Sequence, residues 1–253
     1  MKKLEVLFSP AEFAVLKERD LSATACVVFD VLRATTSMVT ALANGAEAII
    51  PVSEISEALA IRKKQPGVLL GGERDGVRIR AAQAGGVDFD FGNSPREYTT
   101  EKVRGKTIVS TTTNGTRALH SCAHAKMILA CTFANLNATA DFIAKLKVDE
   151  LLLICAGTYE EAAYEDTLAA GALCDLLWPR FASGDVADSA QIARQVFLSA
   201  KGDLPGAVQI HSKNARRLLA MRELSDDVAF CLRRDTCKVV AKMQTDGTVR
   251  QVK

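Results

Sequence analysis

The chain has 253 residues, 48% of them hydrophobic, with 32 Lys and Arg against 30 Asp and Glu. This composition is ordinary for a globular protein and excludes disordered and fibrous classes. A net charge of +2 provides no broad basic surface, so we expect no binding to nucleic acid or to an anionic membrane. Any anion site must depend on individually placed arginines.

The N-terminal apolar run is interrupted by Glu5, and the longest apolar stretches are strand-sized, so we expect neither a signal segment nor a membrane helix. The seven cysteines form an odd, scattered set without a CxxC pair. That pattern is typical of reduced thiols and not of a disulfide framework. We therefore predict a cytoplasmic protein.

Short apolar runs alternate with segments of helical character along most of the chain. The apolar runs predict strands at 4–8, 25–30, 48–52, 68–71, 106–110, 127–131 and 150–155. Helices are predicted at 10–19, 35–44, 53–64, 114–122 and 134–146, then beyond residue 157 up to a last strand at 238–243. This alternation predicts a three-layer α/β/α fold with a mixed or largely parallel sheet.

We treat residues 1–253 as a single α/β unit. The segments 40–46 and 167–172 have similar sequences, and each belongs to an Ala-rich predicted helix that follows an apolar strand. This similarity leaves open two similar halves that divide near residues 130–150, but coincidence explains it equally well.

The segment 27–46 places polar side chains where a buried strand ends. Asp30 closes the strand, and Arg33, Thr35 and Thr36 surround the start of the next helix. Ligands of α/β sheets favour this location, where backbone N–H groups and an arginine bind anions and an aspartate binds Mg²⁺. We favour a site over the alternative, a helix capped by Thr35 with Asp30 paired to Arg33.

Two further segments carry polar residues at predicted element ends. Glu73 and Arg74 follow two glycines where a strand should open into a site. Asn93, Ser94 and Arg96 lie at a helix start, where capping is a sufficient explanation for Ser94. For Glu73 and Arg74 we favour function slightly over a surface loop.

The segment STTTNGTRAL joins a strand to a helix and is rich in hydroxyl groups. Its candidate anion-binding residues are Thr111, Thr112, Thr113, Asn114, Gly115 and Thr116. No lysine follows the glycine as in a P-loop, so we do not expect an NTPase. The alternative is that the threonines only cap the helix.

The segment ICAGTYEEAAYEDTLAAGA ends another strand. Cys155 and Gly157 lie at the strand end, and Glu165 and Asp166 precede an Ala-rich helix. The two acids suit either the first turn of that helix or, beside Asp30, an oxygen-rich Mg²⁺ site. Cys155 does not have the arginine spacing of cysteine phosphatases.

Six segments, in this order, resemble the 2-phosphosulfolactate phosphatase (ComB) family: DVLRATTSMVTALANGA, GGERDG, FGNSPREY, TTTNGTRAL, CAGT and EDTLAAGA. The resemblance extends to SKNARRLL and to DDVAFCLRRD near the end of the chain. It implies a Mg²⁺-dependent phosphatase that converts (2R)-2-phospho-3-sulfolactate to 3-sulfolactate and phosphate, a step toward coenzyme M. It also implies an α/β fold distinct from that of the haloacid dehalogenases.

The resemblance assigns provisional roles to the candidate residues. The catalytic candidates are Asp30, Arg33, Glu73 and Cys155. The candidate Mg²⁺ ligands are Asp30, Glu73, Glu165 and Asp166. The candidate substrate-binding residues are Thr35, Thr36, Arg74, Asn93, Ser94, Arg96, the segment Thr111 to Thr116, and Gly157. The expected partner is a small phosphorylated, sulfonated hydroxy acid, and a homo-oligomer is compatible with this interpretation.

The sequence departs from the family pattern in three places: RIRAAQAGGVDFD is longer than the usual linker, Tyr159-Glu160-Glu161 is bulkier, and NARR replaces a Gly-Arg pair. These departures leave two alternatives open. One is a phosphatase of another phosphorylated 2-hydroxy acid, and the other is a non-catalytic protein that binds a small dianion.

Overall fold

A computed structural model describes residues 2–146, 148–181 and 184–252, and within them eleven strands form one sheet. The strands are β1 Lys3–Leu7, β2 Thr24–Phe29, β3 Ala48–Pro51, β4 Leu69–Arg74, β5 Val77–Arg78, β6 Thr107–Thr111, β7 Met127–Cys131, β8 Glu150–Cys155, β9 Asp185–Val186, β10 Ala241–Met243 and β11 Val249–Gln251. Their order across the sheet is β5-β4-β6-β3-β11-β10-β7-β2-β8-β1-β9.

The sheet consists of two parallel blocks joined by an antiparallel hairpin. In one block β4, β6 and β3 run parallel, and in the other β7, β2, β8 and β1 do. The hairpin β10–β11 pairs antiparallel with β7 on one side and with β3 on the other. The two blocks therefore run in opposite directions, which makes the sheet mixed and confirms the predicted class.

Side-chain alternation on β2 shows why there are three layers. Every residue of this strand is buried. Ala25, Val27 and Phe29 join the hydrophobic cluster of the helices that follow β7 and β8, whereas Cys26 and Val28 join the cluster of the helices on the opposite face. A strand that is apolar on both faces is covered by helices on both faces.

The described helices are α1 Ala34–Ala43, α2 Ile55–Lys64, α3 Thr100–Val103, α4 Gly115–Ser121, α5 Leu136–Lys145, α6 Tyr164–Leu177, α7 Asp188–Ala200, α8 Leu204–His211, α9 Lys213–Leu219 and α10 Ser225–Cys231. The helix predicted at 10–19 is a 3-10 helix over Pro10–Lys17. Strands β5, β9 and β11 were not predicted because two or three residues are too few to show a period.

The division of the chain into two halves stays a prediction. Strands β2 and β8, on either side of the predicted boundary, pair residue by residue from Thr24 with Glu150 to Phe29 with Cys155. Within the described part of the chain, no helix has the length and apolar character that crossing a membrane requires.

Candidate active site

Asp30 is a buried acid that directly follows β2. Its Oδ1 accepts a hydrogen bond from the Ala34 N–H at 2.9 Å, while its Oδ2 has no hydrogen-bond partner among the described residues. Burial raises the pKa of Asp30 to about 7, and the negative charges of Glu73 and Glu165 add to that rise. Asp30 thus offers one carboxylate oxygen for a proton or a cation.

Gly115, the first residue of α4, lies directly against this carboxylate. A Cβ atom at Gly115 would stand 2.6 Å from Oδ2 of Asp30 and 2.5 Å from Cβ of Ala34. Only glycine fits here, since both contacts are shorter than van der Waals separation. The close packing brings the loop after β6 against the end of β2.

Glu73 ties two loops together at the end of β4. Its Oε2 accepts from the Gly76 N–H at 2.6 Å, and its Oε1 accepts from the Thr113 N–H at 2.9 Å. The turn between β4 and β5 is tight, with φ of 55° at Asp75 and 79° at Gly76. Glu73 therefore fixes this turn relative to the loop that carries Thr113.

Arg33 is almost fully buried and is held from two sides. Its Nη1 donates to Asp227 at 2.7 Å, and its Nη2 donates to the Gly76 carbonyl at 2.5 Å. Asp227 also accepts from the Ser94 hydroxyl at 2.7 Å and from Nε of Arg96 at 2.8 Å. The fully buried Asp227 is an organising residue that the sequence interpretation missed; its signal was the acidic pair opening the DDVAFCLRRD segment.

Two arginines predicted to bind substrate, Arg74 and Arg96, already donate hydrogen bonds to other parts of the protein. Besides Asp227, Arg96 donates to Asp226 at 3.1 Å and to the Glu223 carbonyl at 2.9 Å. Arg74 donates to its neighbour's carbonyl at 2.7 Å and to Oγ1 of Thr111 at 3.1 Å. Neither side chain lines the cleft described below.

Glu165 and Asp166 begin α6 and are both fully buried. Burial raises the pKa of each carboxyl. Asp166 accepts from the Val31 N–H at 2.8 Å and from the Gly157 N–H at 3.1 Å, so it joins the loops after β2 and β8. Glu165 accepts from the Ser212 hydroxyl at 2.6 Å and from the Asn214 amide at 3.2 Å.

Most of the threonines that were predicted to bind substrate instead form hydrogen bonds with the backbone of their own loops. The Thr35 hydroxyl donates to the Asp30 carbonyl at 2.9 Å, that of Thr36 to the Val31 carbonyl at 2.8 Å, and that of Thr116 to the Thr112 carbonyl at 2.8 Å. Their side chains are buried and absent from the cleft lining, as are those of Thr111, Thr112 and Ser94.

Cys155 and Gly157 also lie outside the cleft lining. Cys155 is fully buried, and burial followed by the nearby charge of Asp166 raises its pKa well above that of an ordinary thiol. A buried, protonated thiol is a poor nucleophile, so the geometry argues against a catalytic Cys155. Gly157 has a φ of 67°, and a Cβ there would meet the Glu161 carbonyl at 2.5 Å, which makes its role conformational.

A small cleft opens where these loops meet. Its lining includes six predicted site residues: Asp30, Arg33, Glu73, Asn93, Thr113 and Asn114. It also includes residues that the sequence interpretation did not select: Leu32, Asp75, Gly76, Thr158, Tyr159, Asn214, Arg217 and Leu218. Asn214 and Arg217 belong to the SKNARRLL segment, whose likeness to the family was the available signal.

Across the described ranges 2–146, 148–181 and 184–252, no three His, Cys, Asp or Glu side chains form a group that could hold a metal ion. Mg²⁺ needs fewer protein ligands than three, since it is usually bound by one or two carboxylates together with water and substrate phosphate. Asp30 has an open oxygen, and the charge of Glu73 is close enough to raise the Asp30 pKa. Asp30 and Glu73 both line the cleft and fit Mg²⁺, whereas Glu165 and Asp166 do not line it.

Buried carboxylates and arginines gathered at the strand ends of an α/β sheet are typical of enzymes that act on small phosphorylated molecules. The chain matches the family model described as 2-phosphosulpholactate phosphatase over residues 13–246. The chain therefore belongs to the 2-phosphosulfolactate phosphatase family, a family of phosphoric monoester hydrolases.

Relatives match over most of their length. The protein named probable 2-phosphosulfolactate phosphatase of Thermotoga petrophila is 42% identical over 214 residues, which cover 85% of this chain and 86% of the relative. Proteins of the same name from Carboxydothermus hydrogenoformans and Clostridium acetobutylicum are 37% and 34% identical. The first covers 94% of this chain and 92% of the relative, and the second covers 98% and 99%.

Proposed function

We propose that this protein hydrolyses 2-phospho-3-sulfolactate to 3-sulfolactate and phosphate. The observation that carries the proposal is the open Oδ2 of Asp30, which lines a small cleft beside Arg33 and Asn93. The names of the relatives support the choice of substrate. Hydrolysis of a phosphate monoester requires stabilisation of developing negative charge, which cationic and N–H donors in a confined cleft provide.

Each residue of the cleft has a separate role in this proposal. Asp30 provides the carboxylate oxygen nearest to the reacting group. Arg33 brings a positive charge whose position is fixed by Asp227 and the Gly76 carbonyl. The Asn93 side-chain amide lines the cleft without a hydrogen-bond partner among the described residues, so it is available to the substrate. Glu73 holds the loops in register.

We assign Mg²⁺ as the cofactor, with Asp30 and Glu73 as its protein ligands. A bound Mg²⁺ would supply Lewis-acid stabilisation of phosphoryl charge. Each carboxylate oxygen can accept more than one partner, so the two N–H donors to Glu73 do not preclude ligation. Asp166 serves the loop structure in this proposal, and Glu165 orients Asn214.

A cytoplasmic location, a homo-oligomer and a step toward coenzyme M stay predictions. The seven cysteines are all free thiols, which supports a reducing compartment.

The test is phosphate release from 2-phospho-3-sulfolactate by the purified chain, with Mg²⁺ and then with EDTA. We expect turnover that EDTA abolishes and that added Mg²⁺ restores. A panel of other 2-phospho acids runs alongside. Turnover on another member alone would retain the chemistry and change the substrate. Tight binding of 3-sulfolactate without any phosphate release would favour a non-catalytic dianion-binding protein.

A further inference from the structure

Arg217 lies in α9 and lines the cleft, yet it has no ion-pair or hydrogen-bond partner within residues 2–146, 148–181 and 184–252. The other arginines near the site differ. Arg33 is paired with Asp227, Arg96 with Asp226 and Asp227, and Arg74 donates to three oxygen acceptors. A half-buried guanidinium that lines a cleft without a partner has its donors available for a ligand.

The Arg217 guanidinium lies beside Gly76. A Cβ atom at Gly76 would lie 3.3 Å from Nη2 of Arg217 and 3.9 Å from Nη2 of Arg33. The two guanidinium groups therefore flank the same glycine. The charge of Arg33 is balanced by Asp227, but that of Arg217 is not balanced by any described carboxylate within ion-pair distance. The guanidinium donors of Arg217 are therefore available to an anionic group in the cleft.

Asp30 and Arg217 line the same cleft but have different neighbours. Gly115 and Ala34 pack against Asp30, whereas Arg217 packs against Gly76. Because both residues line one small cleft, a substrate with its phosphoryl group at Asp30 would place another part near Arg217. The planar fork of an arginine matches the oxygen atoms of a carboxylate or a sulfonate.

We propose that Arg217 binds a non-reacting anionic group of the substrate and thereby selects phosphate esters that carry a second anion. This inference rests on the proposed function, because it assumes that the phosphoryl group occupies the Asp30 side. It goes further by naming the residue that distinguishes such esters from simple monoesters.

The test compares Arg217→Met with the parent chain on three esters: 2-phospho-3-sulfolactate, 2-phospholactate without the sulfonate, and the phosphate ester of 2-hydroxyethanesulfonate without the carboxylate. We expect kcat/KM to fall roughly 10- to 100-fold for esters that carry the recognised group, the usual effect of losing a charged hydrogen bond. The ester without that group should be affected less than about threefold. Which truncated ester escapes the loss identifies the group.

Arg216→Met is the matched control. Arg216 precedes Arg217 in α9 and is exposed, and its Nη1 donates to the Ile210 carbonyl. The control removes the same charge from the same helix and should leave all three rates unchanged. Arg217→Lys should restore only part of the loss, since a lysine lacks the planar fork.

Calorimetric binding of 3-sulfolactate separates the two hypotheses. An equal loss on all three esters, or none, would overturn the role of Arg217 while leaving the phosphatase intact. If the parent chain releases no phosphate but binds 3-sulfolactate, the proposed function fails, and weaker binding by Arg217→Met would still support an anion-binding role for Arg217. Binding of 3-sulfolactate that is equal in both chains, or absent from both, would overturn it.

Discussion

Asp30 and Asp166 are alike in burial and in the direction of their pKa shift, but they differ in the hydrogen bonds that they accept. Both are buried, and burial raises the pKa of both. Asp30 directly follows β2, and Asp166 contacts the loops after β2 and β8. Both oxygens of Asp166 accept backbone N–H groups, whereas Asp30 retains one oxygen without a described partner. Burial and a raised pKa therefore do not distinguish these two acids, whereas an unpartnered oxygen at the cleft does.

The substitution Asp30→Asn tests the reacting side of this comparison and has the largest expected effect. We expect kcat to fall by at least about 10³-fold, because the amide cannot carry the charge that holds a cation or a proton. The melting temperature should stay equal or rise, since burial disfavours the ionised carboxyl in the folded chain. Phosphate release and thermal unfolding measure the two effects. Near-normal kcat would remove Asp30 from the mechanism.

The substitution Asp166→Ala tests the structural side. It leaves the N–H groups of Val31 and Gly157 without their acceptor, which should lower the free energy of unfolding by about 2–4 kcal/mol. Asp166→Asn is the control and should cost less, since its amide oxygen still accepts one bond. Denaturant unfolding gives both values. A loss of activity with unchanged unfolding free energy would reverse the roles assigned to the two aspartates.

The pH dependence sharpens the comparison further. The folded chain holds a proton on Asp30 more tightly than the unfolded chain, because its pKa is raised from 3.8 to about 7. The contribution of Asp30 to stability should therefore decline as pH rises from about 4 to about 7 and then level off, and Asp30→Asn should lack that decline. In the parent chain kcat/KM should rise over the upper part of this window as the carboxyl ionises.

Varying the Mg²⁺ concentration tests whether Asp30 binds the metal ion as well as a proton. Because the two compete for the Asp30 carboxylate, a higher Mg²⁺ concentration should move the acidic limb of the kcat/KM profile to lower pH. An acidic limb that is insensitive to Mg²⁺ would contradict ligation by Asp30. Denaturant unfolding of the parent chain and Asp30→Asn at pH 5 and pH 8, without metal, provides the stability comparison.

The smallest effect is expected from removing the hydrogen bond between Tyr159 and Asp75. The Tyr159 hydroxyl donates to Oδ1 of Asp75 at 3.1 Å, so the loop after β8 meets the turn after β4. Tyr159→Phe should raise KM roughly two- to fivefold with little change in kcat, because one exposed hydrogen bond is lost. Asp75→Asn keeps an acceptor and is the control. A large fall in kcat instead would place Tyr159 in the reaction.

Six of the residues that the sequence interpretation selected at strand ends line one cleft, but the interpretation did not anticipate how these ends meet. The prediction of a mixed or largely parallel sheet left strand directions open, and in the structure β2 and β8 run opposite to β4 and β6. The loops after all four strands nevertheless line one cleft. The final hairpin β10–β11 inserts between the blocks, and its pairing depends on contacts across most of the chain length.

Local pattern alone determined the strand and helix alternation, the position of Asp30, Glu73, Thr113 and Asn114 at element ends, and the ordered motifs of the family. These features depend on apolar period and on neighbouring residues, which a sequence displays directly. Only the tertiary structure decided which polar groups remain available. Arg33 meets Asp227, 194 positions away, and Arg96 meets it too, while Arg217 meets no described acceptor. Such partners are selected by packing between distant segments, so residue type and spacing do not reveal them.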